Sequence, residues 1–357
     1  MKIIDRYILK KFLSAFFFTV ILLVAIICVI DFTEKNDDFI NSHAPFNLIV
    51  KYYLNFAPYI ANMLSPITVF IATVFVTAKM ASHTEIIAIL NGGISFRRML
   101  LPYLMGSTMI AVFIFILIGW LLPKANKERV AFENVYVKDQ YFYEGRNVHL
   151  KIAPETYVYM ESYNNQINTG YQFTLETIDG KDLISKLKAM RITWMPGKNK
   201  WELENYMIRS FKNGKESIQF GVRTDTTINL YPKDFESTYL LHETFTLPEL
   251  KAYIQELRDK GVESVAVYEI EMYERYTYPF AIIILTVIGV VVSARKTREG
   301  AGFQIAFGFL LAFIYIIFVI MSRSIANAGT LSPLMAAWLP NLIFASIGFI
   351  MYKTLPR

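Results

Sequence analysis

Only one cysteine, Cys28, occurs in 357 residues, and it lies inside an apolar run, so no disulfide framework can form within the chain. Histidine is scarce as well: His43, His83, His149 and His242 are scattered without the H-x-x-x-H or Cys-His spacing of a metal site, and none is expected. The chain has no G-x-x-x-x-G-K followed by Ser or Thr, and no G-x-S-x-G, which removes a P-loop ATPase and a hydrolase nucleophile elbow. Charged residues make up only 18% against 54% hydrophobic, with a mean hydropathy of +0.35. That balance is too apolar for an ordinary soluble domain and fits a polytopic membrane protein.

The net charge of +6 does not point to nucleic acid once it is located along the chain. Residues 123–275 carry 21 basic and 23 acidic side chains, and the remainder carries 15 and 7. The basic excess therefore borders the apolar runs, as positive-inside topology requires. Crossings are expected at residues 12–30, within 48–78, at 99–122, 278–294, 303–321 and 334–352. Pro58 and Pro66 should kink or divide the second, and Pro123 should close the third. The N-terminus begins like a signal peptide, but residues 31–34 offer no small-residue cleavage site, so an uncleaved anchor is expected. Twelve Lys and Arg fall on the segments expected in the cytoplasm and three, Lys35, Lys51 and Arg323, on the opposite side, so both termini are expected in the cytoplasm.

From Lys124 the character changes to alternating, β-branched and aromatic stretches at 148–153, 156–163, 171–178, 187–195, 200–208, 216–222 and 238–247. Turn pairs such as Asp179-Gly180, Pro196-Gly197 and Asn213-Gly214 bound them, which argues for a sandwich or an open jelly roll. Tyr159 and Phe173 are expected to face its interior. A helix over 247–260, and a second from Val262, lead back to the membrane. The resulting fold is six membrane helices in a 3+3 layout with an inserted β-domain: residues 1–123, 124–276 and 277–357.

One short helix signal, about residues 82–92, is stranded between two crossings. Ser82 and Glu85 have capping-box spacing, Ile86, Ile87, Ile89 and Leu90 form an apolar face, and Asn91-Gly92-Gly93 supplies the stop. Its length of about 12 Å cannot span a core of roughly 30 Å. An isolated helix this short is marginal in water, so its apolar face needs lipid headgroups, the chain's own helices or a second protein to rest on. Glu85 has two readings, a cap or a charged contact to a cytoplasmic partner. Lys35, Lys124, Lys127 and Arg129 likewise have two, as holders of lipid headgroup phosphates or as snorkelling, solvated ends. Acidic clusters in the insert read as solvated strand faces, so no enzyme active site is expected.

In order along the chain, Asp5-Arg6-Tyr7-Ile8, Thr84-Glu85-Ile86-Ile87, Gly92-Gly93-Ile94-Ser95, the exit from Trp120 to Pro123, Tyr157-Val158-Tyr159-Met160-Glu161, Lys260-Gly261 and the segment from Pro333 to Pro340 resemble the LptF/LptG permease family of the lipopolysaccharide exporter. The resemblance implies that the 82–92 stretch is a coupling helix for a separate cytoplasmic ABC ATPase dimer, with the acidic position at Glu85. This chain would then bind no cofactor itself, ATP and Mg being held by the ATPase. It further implies a second LptF/LptG-type permease, a central cavity between the first and fifth crossings, and a periplasmic jelly roll. That jelly roll would pass lipopolysaccharide to LptC-like and LptA-like partners from the inner membrane of a diderm bacterium. The competing readings are a membrane-anchored periplasmic sensor or scaffold and an ABC permease for another amphiphile such as a lipoprotein.

Overall fold

A computed structural model describes residues 2–138, 143, 146–180, 182–212, 215–235, 240–259, 265–294 and 301–354. By contacts the chain forms two units, a helical one (Met1–Val137, His242–Leu250 and Ala266–Arg357) and a β-rich one (Lys138–Leu241 and Lys251–Val265). In the helical unit α1 (Ile3–Asn41), α2 (Phe46–Ser82), α3 (Glu85–Asn91), α4 (Phe96–Ile116) and α5 (Leu122–Tyr136) precede the insert, with α4 and α5 joined by a π-helical turn, Leu117–Leu121. The strands β1 (Arg146–Ala153), β2 (Thr156–Asn164), β3 (Thr169–Asp179), β4 (Asp182–Met195), β5 (Lys200–Lys212) and β6 (Lys215–Thr226) follow. Then come α6 (Leu241–Thr244), α7 (Leu247–Asp259), α8 (Val265–Ser293), α9 (Ala301–Asn327) and α10 (Pro333–Lys353).

Among the described residues six helical stretches are long and apolar enough to cross a membrane, three before the sheet and three after it. The expected crossings are all present, but the helices outrun the apolar windows. With 39 residues, α1 reaches about 58 Å and continues through the acidic segment after Asp31. Pro58 and Pro66 lie inside α2, which is continuous rather than divided. Pro123 does not close the third crossing: it is the second residue of α5, directly after the π-helical turn. The π-helical turn ahead of it, in which the Leu122 N–H reaches back five residues to the Leu117 carbonyl, makes room for the proline ring, so the helix runs on.

The main core of this unit joins α1, α2, α4 and α8 through Phe12, Val76, Met80, Met99, Tyr103 and Ile282. Gly106 lets α1 and α4 touch, because a Cβ there would lie 2.7 Å from the Phe12 ring. Gly106→Val is therefore expected to destabilise the chain by about 1–3 kcal/mol through overpacking, read as a lowered thermal midpoint in detergent. An unchanged midpoint would mean that α1 does not pack on α4 as described.

The β-unit is one antiparallel sheet in the order β1-β2-β3-β4-β5-β6, the open arrangement of the two expected. Its inner face buries Val158, Met160, Phe173, Ile192, Trp201 and Leu203. The indole N–H of Trp201 donates to the Leu230 carbonyl at 2.8 Å, and Phe235 stacks on Tyr163 with ring centroids 3.8 Å apart. Strict alternation breaks at one level in four neighbouring strands, where Met160 and Tyr163, Gly170 and Phe173, Ala189 and Ile192, and Leu203 and Tyr206 all face inward. The pairing register is the same on both sides of this line in β3, β4 and β5, so the strands bend together there.

Two expectations for the insert are corrected. The seventh stretch, 238–247, is not a strand: residues 238–239 lie outside the described residues, and Leu241–Thr244 is helical. Its apolar pattern, Leu-Leu followed by Phe, serves a helical turn as well as a strand. Tyr159 does not face the interior, because its neighbours Val158 and Met160 do; its hydroxyl donates to the Asn147 side chain at 2.9 Å on the other face. Alternation states that neighbours face opposite ways, not which set is inside, and here the fully apolar pair takes the core. Phe173 is buried as expected. The turn at Asn213-Gly214, the residues Lys260-Gly261 and the start of a helix at Val262 lie outside the described residues.

Candidate functional site

The short helix α3 starts two residues later than the capping-box reading requires, at Glu85. Ser82 does not cap it: its hydroxyl donates to the Lys79 carbonyl at 2.9 Å. The chain instead turns through Thr84 in a left-handed conformation, φ 60°, an uncommon state for a β-branched residue. The Glu85 carboxylate reaches across to α1, accepting from Lys11 Nζ at 3.1 and 3.2 Å and from the Tyr7 hydroxyl at 3.0 Å. A charged donor and a phenol outcompete the backbone N–H of Ser82, so Glu85 ties α3 to α1. At the other end Gly93, with φ +81°, takes the left-handed turn that stops the helix after Gly92.

The four apolar residues of α3 divide into two sets. Ile86 is 2% exposed and belongs to the main core, and Ile89 packs against it. Ile87 and Leu90 are 44% and 38% exposed and present an apolar edge. Half of the face is thus seated on the chain's own helices, and half remains without a partner among the described residues.

The four cations weighed for headgroups separate as well. Lys35 lies between Asp31, at 2.8 Å, and Glu133, at 3.5 Å, and donates to the Tyr52 hydroxyl at 2.6 Å. Arg129 is buried, paired with the same Glu133 at 3.2 Å and with Glu243 at 2.6 Å, its guanidinium 4.1 Å from the Tyr59 ring. Lys127 is exposed and reaches Glu249 at 3.5 Å, while Lys124 is exposed with no ion pair among the described residues. The structure brings Lys35 and Arg129 together through Glu133 and leaves Lys124 and Lys127 at the surface.

Sequence reasoning missed a buried charged network beside this one. Arg275 donates to Glu271 at 3.0 Å and to the carbonyls of Phe245 and His242 at 2.6 and 2.9 Å. Arg323 joins Glu274, at 2.8 Å, to Glu271, at 3.3 Å. Asn126 donates to the Glu243 carbonyl at 3.2 Å. The strap of residues 242–245 is therefore pinned to α5 and α8 by buried side chains. Glu271 and Arg275 stand four apart ahead of an apolar run, an available signal that the expected boundary at residue 276 hid. A cavity of about 490 Å³ adjoins this network, lined by Glu243, Glu274, Arg323 and apolar residues including Met63, Ile118 and Val319.

Burial pushes the Glu243 carboxyl up to about 7, a shift that Arg129 opposes and Glu271 adds to. Between the ordinary value of 4.5 and about 7 the folded chain keeps a proton that the unfolded chain releases, so stability falls as pH rises through that window. The full change is of order 3 kcal/mol and is complete above about pH 7. Thermal midpoints should decline from pH 5 to pH 8 in the wild type and lose most of that slope in Glu243→Gln. Equal slopes in the two proteins would contradict it.

No curated protein matches the chain. A family model for the lipopolysaccharide export system permease LptF/LptG matches residues 6–354, nearly the whole length. With six membrane-spanning helices, a six-stranded antiparallel sheet inserted after the third, and this match, the chain belongs to the LptF/LptG family of lipopolysaccharide export permeases and is an inner-membrane protein.

Proposed function

We propose that the chain is a transmembrane subunit that extracts lipopolysaccharide from the inner membrane, driven by ATP hydrolysis in a separate ABC ATPase dimer that docks on α3. The observation carrying this reading is the division of α3: Ile86 and Ile89 anchor it in the core, while Ile87 and Leu90 form an exposed apolar edge closed by Gly92 and Gly93. An anchored helix transmits force to α2 and α4, and an uncovered edge is where a partner pushes. ATP and Mg belong to that partner, consistent with a sequence that has no P-loop.

Coverage of the membrane helices supports a second LptF/LptG-type permease. In α1 only 6% of the apolar window is buried and in α9 22%, against 61% in α2. The two barest helices are the first and fifth crossings, those that would line a cavity shared between two permeases. In this reading both termini are cytoplasmic and the β-domain is periplasmic, as the basic residues at the Arg97-Arg98 end favour. Lys124 and Lys127 remain for headgroup phosphates, whereas Lys35 and Arg129 hold α1 and α5 together through Glu133. The edge strand β6 exposes Ile218, Phe220 and Val222, a surface suited to pairing with an LptC-like or LptA-like jelly roll along the export path.

Co-purification tests the docking claim. Ile87→Asp and Leu90→Asp are expected to cut recovery of the ATPase at least tenfold, about 1.4 kcal/mol or more per interface. Membrane insertion and thermal midpoint should stay unchanged, because both side chains are exposed. Recovery of the ATPase at the wild-type level with both variants would refute it.

A further inference from the structure

The face of the helical unit formed by α4, α8 and α10 carries a second cavity, of about 460 Å³, at the end of the bundle where α1 begins and α10 ends. Its walls are Leu101 and Leu104 of α4 and Ile284 and Val287 of α8, and its floor is Ala345 and Gly348 of α10. The floor is low because two successive turns of α10 carry small side chains. A Cβ on Gly348 would stand 2.9 Å from Ile288, so the α10 backbone lies directly on α8. Among the described residues no polar side chain lines the length of this trough. Polar groups enter only at its mouth, where Arg97 and Tyr352 stand.

Among the described residues the charge at the mouth is uncompensated. Of the described carboxylates at this end, Asp5 holds Arg98 at 2.6 Å and Glu85 holds Lys11. Arg97 is exposed and makes no ion pair or hydrogen bond among the described residues, and Lys353 has only the Phe349 ring, 4.9 Å away. The Tyr352 ring packs on Phe96, with centroids 6.2 Å apart, which fixes the end of α10 against the start of α4. One cation, Arg97, and a phenol thus stand at the head of an apolar trough, with Lys353 over the ring of Phe349, which also lines it.

We propose that this trough binds one anionic phospholipid, its acyl chain between α4, α8 and α10 and its phosphate on Arg97, with Lys353 beside it. A guanidinium offers paired donors that match a phosphate, and the four-carbon stem of a lysine lets its ammonium reach headgroup depth. Two cations with no ion pair among the described residues select a lipid with net negative charge over a zwitterionic one, whose own ammonium would be repelled. The site is independent of the ATPase reading, since it uses none of the α3 edge. It would tie the start of α4 to the end of α10, one turn beyond the Gly92-Gly93 stop.

Native mass spectrometry of the full chain in detergent, doped with either phosphatidylglycerol or phosphatidylcholine of identical acyl chains, tests the site. The expected result is one retained phosphatidylglycerol, favoured over phosphatidylcholine by about tenfold, in line with roughly 1 kcal/mol per basic residue. Arg97→Gln, at an exposed position, should bring the two lipids to near parity. Ala345→Phe should remove the retained lipid of either kind. Glycerophosphoglycerol, the headgroup without tails, should not compete. Equal retention of the two lipids by the wild type, or an unchanged preference in Arg97→Gln, would overturn the proposal. Full competition by the tailless headgroup would reduce the site to an anion contact and overturn it too.

Discussion

Replacing Arg275 with methionine should lower the stability of the chain by about 3–5 kcal/mol, because it leaves Glu271 in a buried position without its nearest cation. It also strips the donors from the Phe245 and His242 carbonyls, which are otherwise held at 2.6 and 2.9 Å. The loss should therefore exceed that of an exposed ion pair such as Lys51 with Glu128, where Lys51→Met should cost no more than about 1 kcal/mol. Adding Glu271→Met to Arg275→Met should recover part of the loss, since the orphaned carboxylate goes with it. Thermal midpoints of the three variants in one detergent decide the matter. An Arg275→Met midpoint as high as that of Lys51→Met would show that the strap is not held by this network.

Ile86→Asp should abolish ATPase association even though Ile86 does not face outward. The side chain is 2% exposed and packs among α1, α2 and α4, so a carboxylate there either pulls α3 off its seat or stays buried at a cost of several kcal/mol. Ile86→Val, which removes one methylene, should cost only about 0.5–1.5 kcal/mol and keep association. The contrast with Ile87→Asp is diagnostic. Both aspartates should lose the ATPase, but only Ile86→Asp should also lower the thermal midpoint. If Ile86→Asp retained the ATPase, the seat of α3 on the core would be irrelevant to coupling.

The membrane helices were legible because 20-residue apolar runs admit few alternatives in a chain with so few charges. Their ends were not. Polar residues continue α1 beyond Asp31 and α5 beyond Pro123, and no periodic apolar pattern marks where such an extension stops. Six of the seven strand stretches were found from alternation, but alternation left the facing of Tyr159 open, and the hydroxyl's partner on Asn147 is set by the fold. At α3 the apolar residues and the Gly92-Gly93 stop were readable locally. The role of Glu85 was not, since Lys11 and Tyr7 lie more than 70 positions away in sequence. The buried network around Arg129 and Arg275 escaped for the same reason: only the i,i+4 pairs, Arg129 with Glu133 and Glu271 with Arg275, are local.

In the proposed function, lipopolysaccharide passes through this chain under the drive of a separate ATPase. Site-specific photocrosslinking in cells making lipopolysaccharide addresses it directly, with probes at Leu175 and Leu187 on the inner face of the sheet and at Tyr159 on the outer. Crosslinks to lipopolysaccharide are expected at Leu175 and Leu187, lost when the ATPase is inactivated, and none at Tyr159. Absence of crosslinks at both inner positions in a folded, inserted protein, or crosslinks indifferent to ATPase activity, would contradict it.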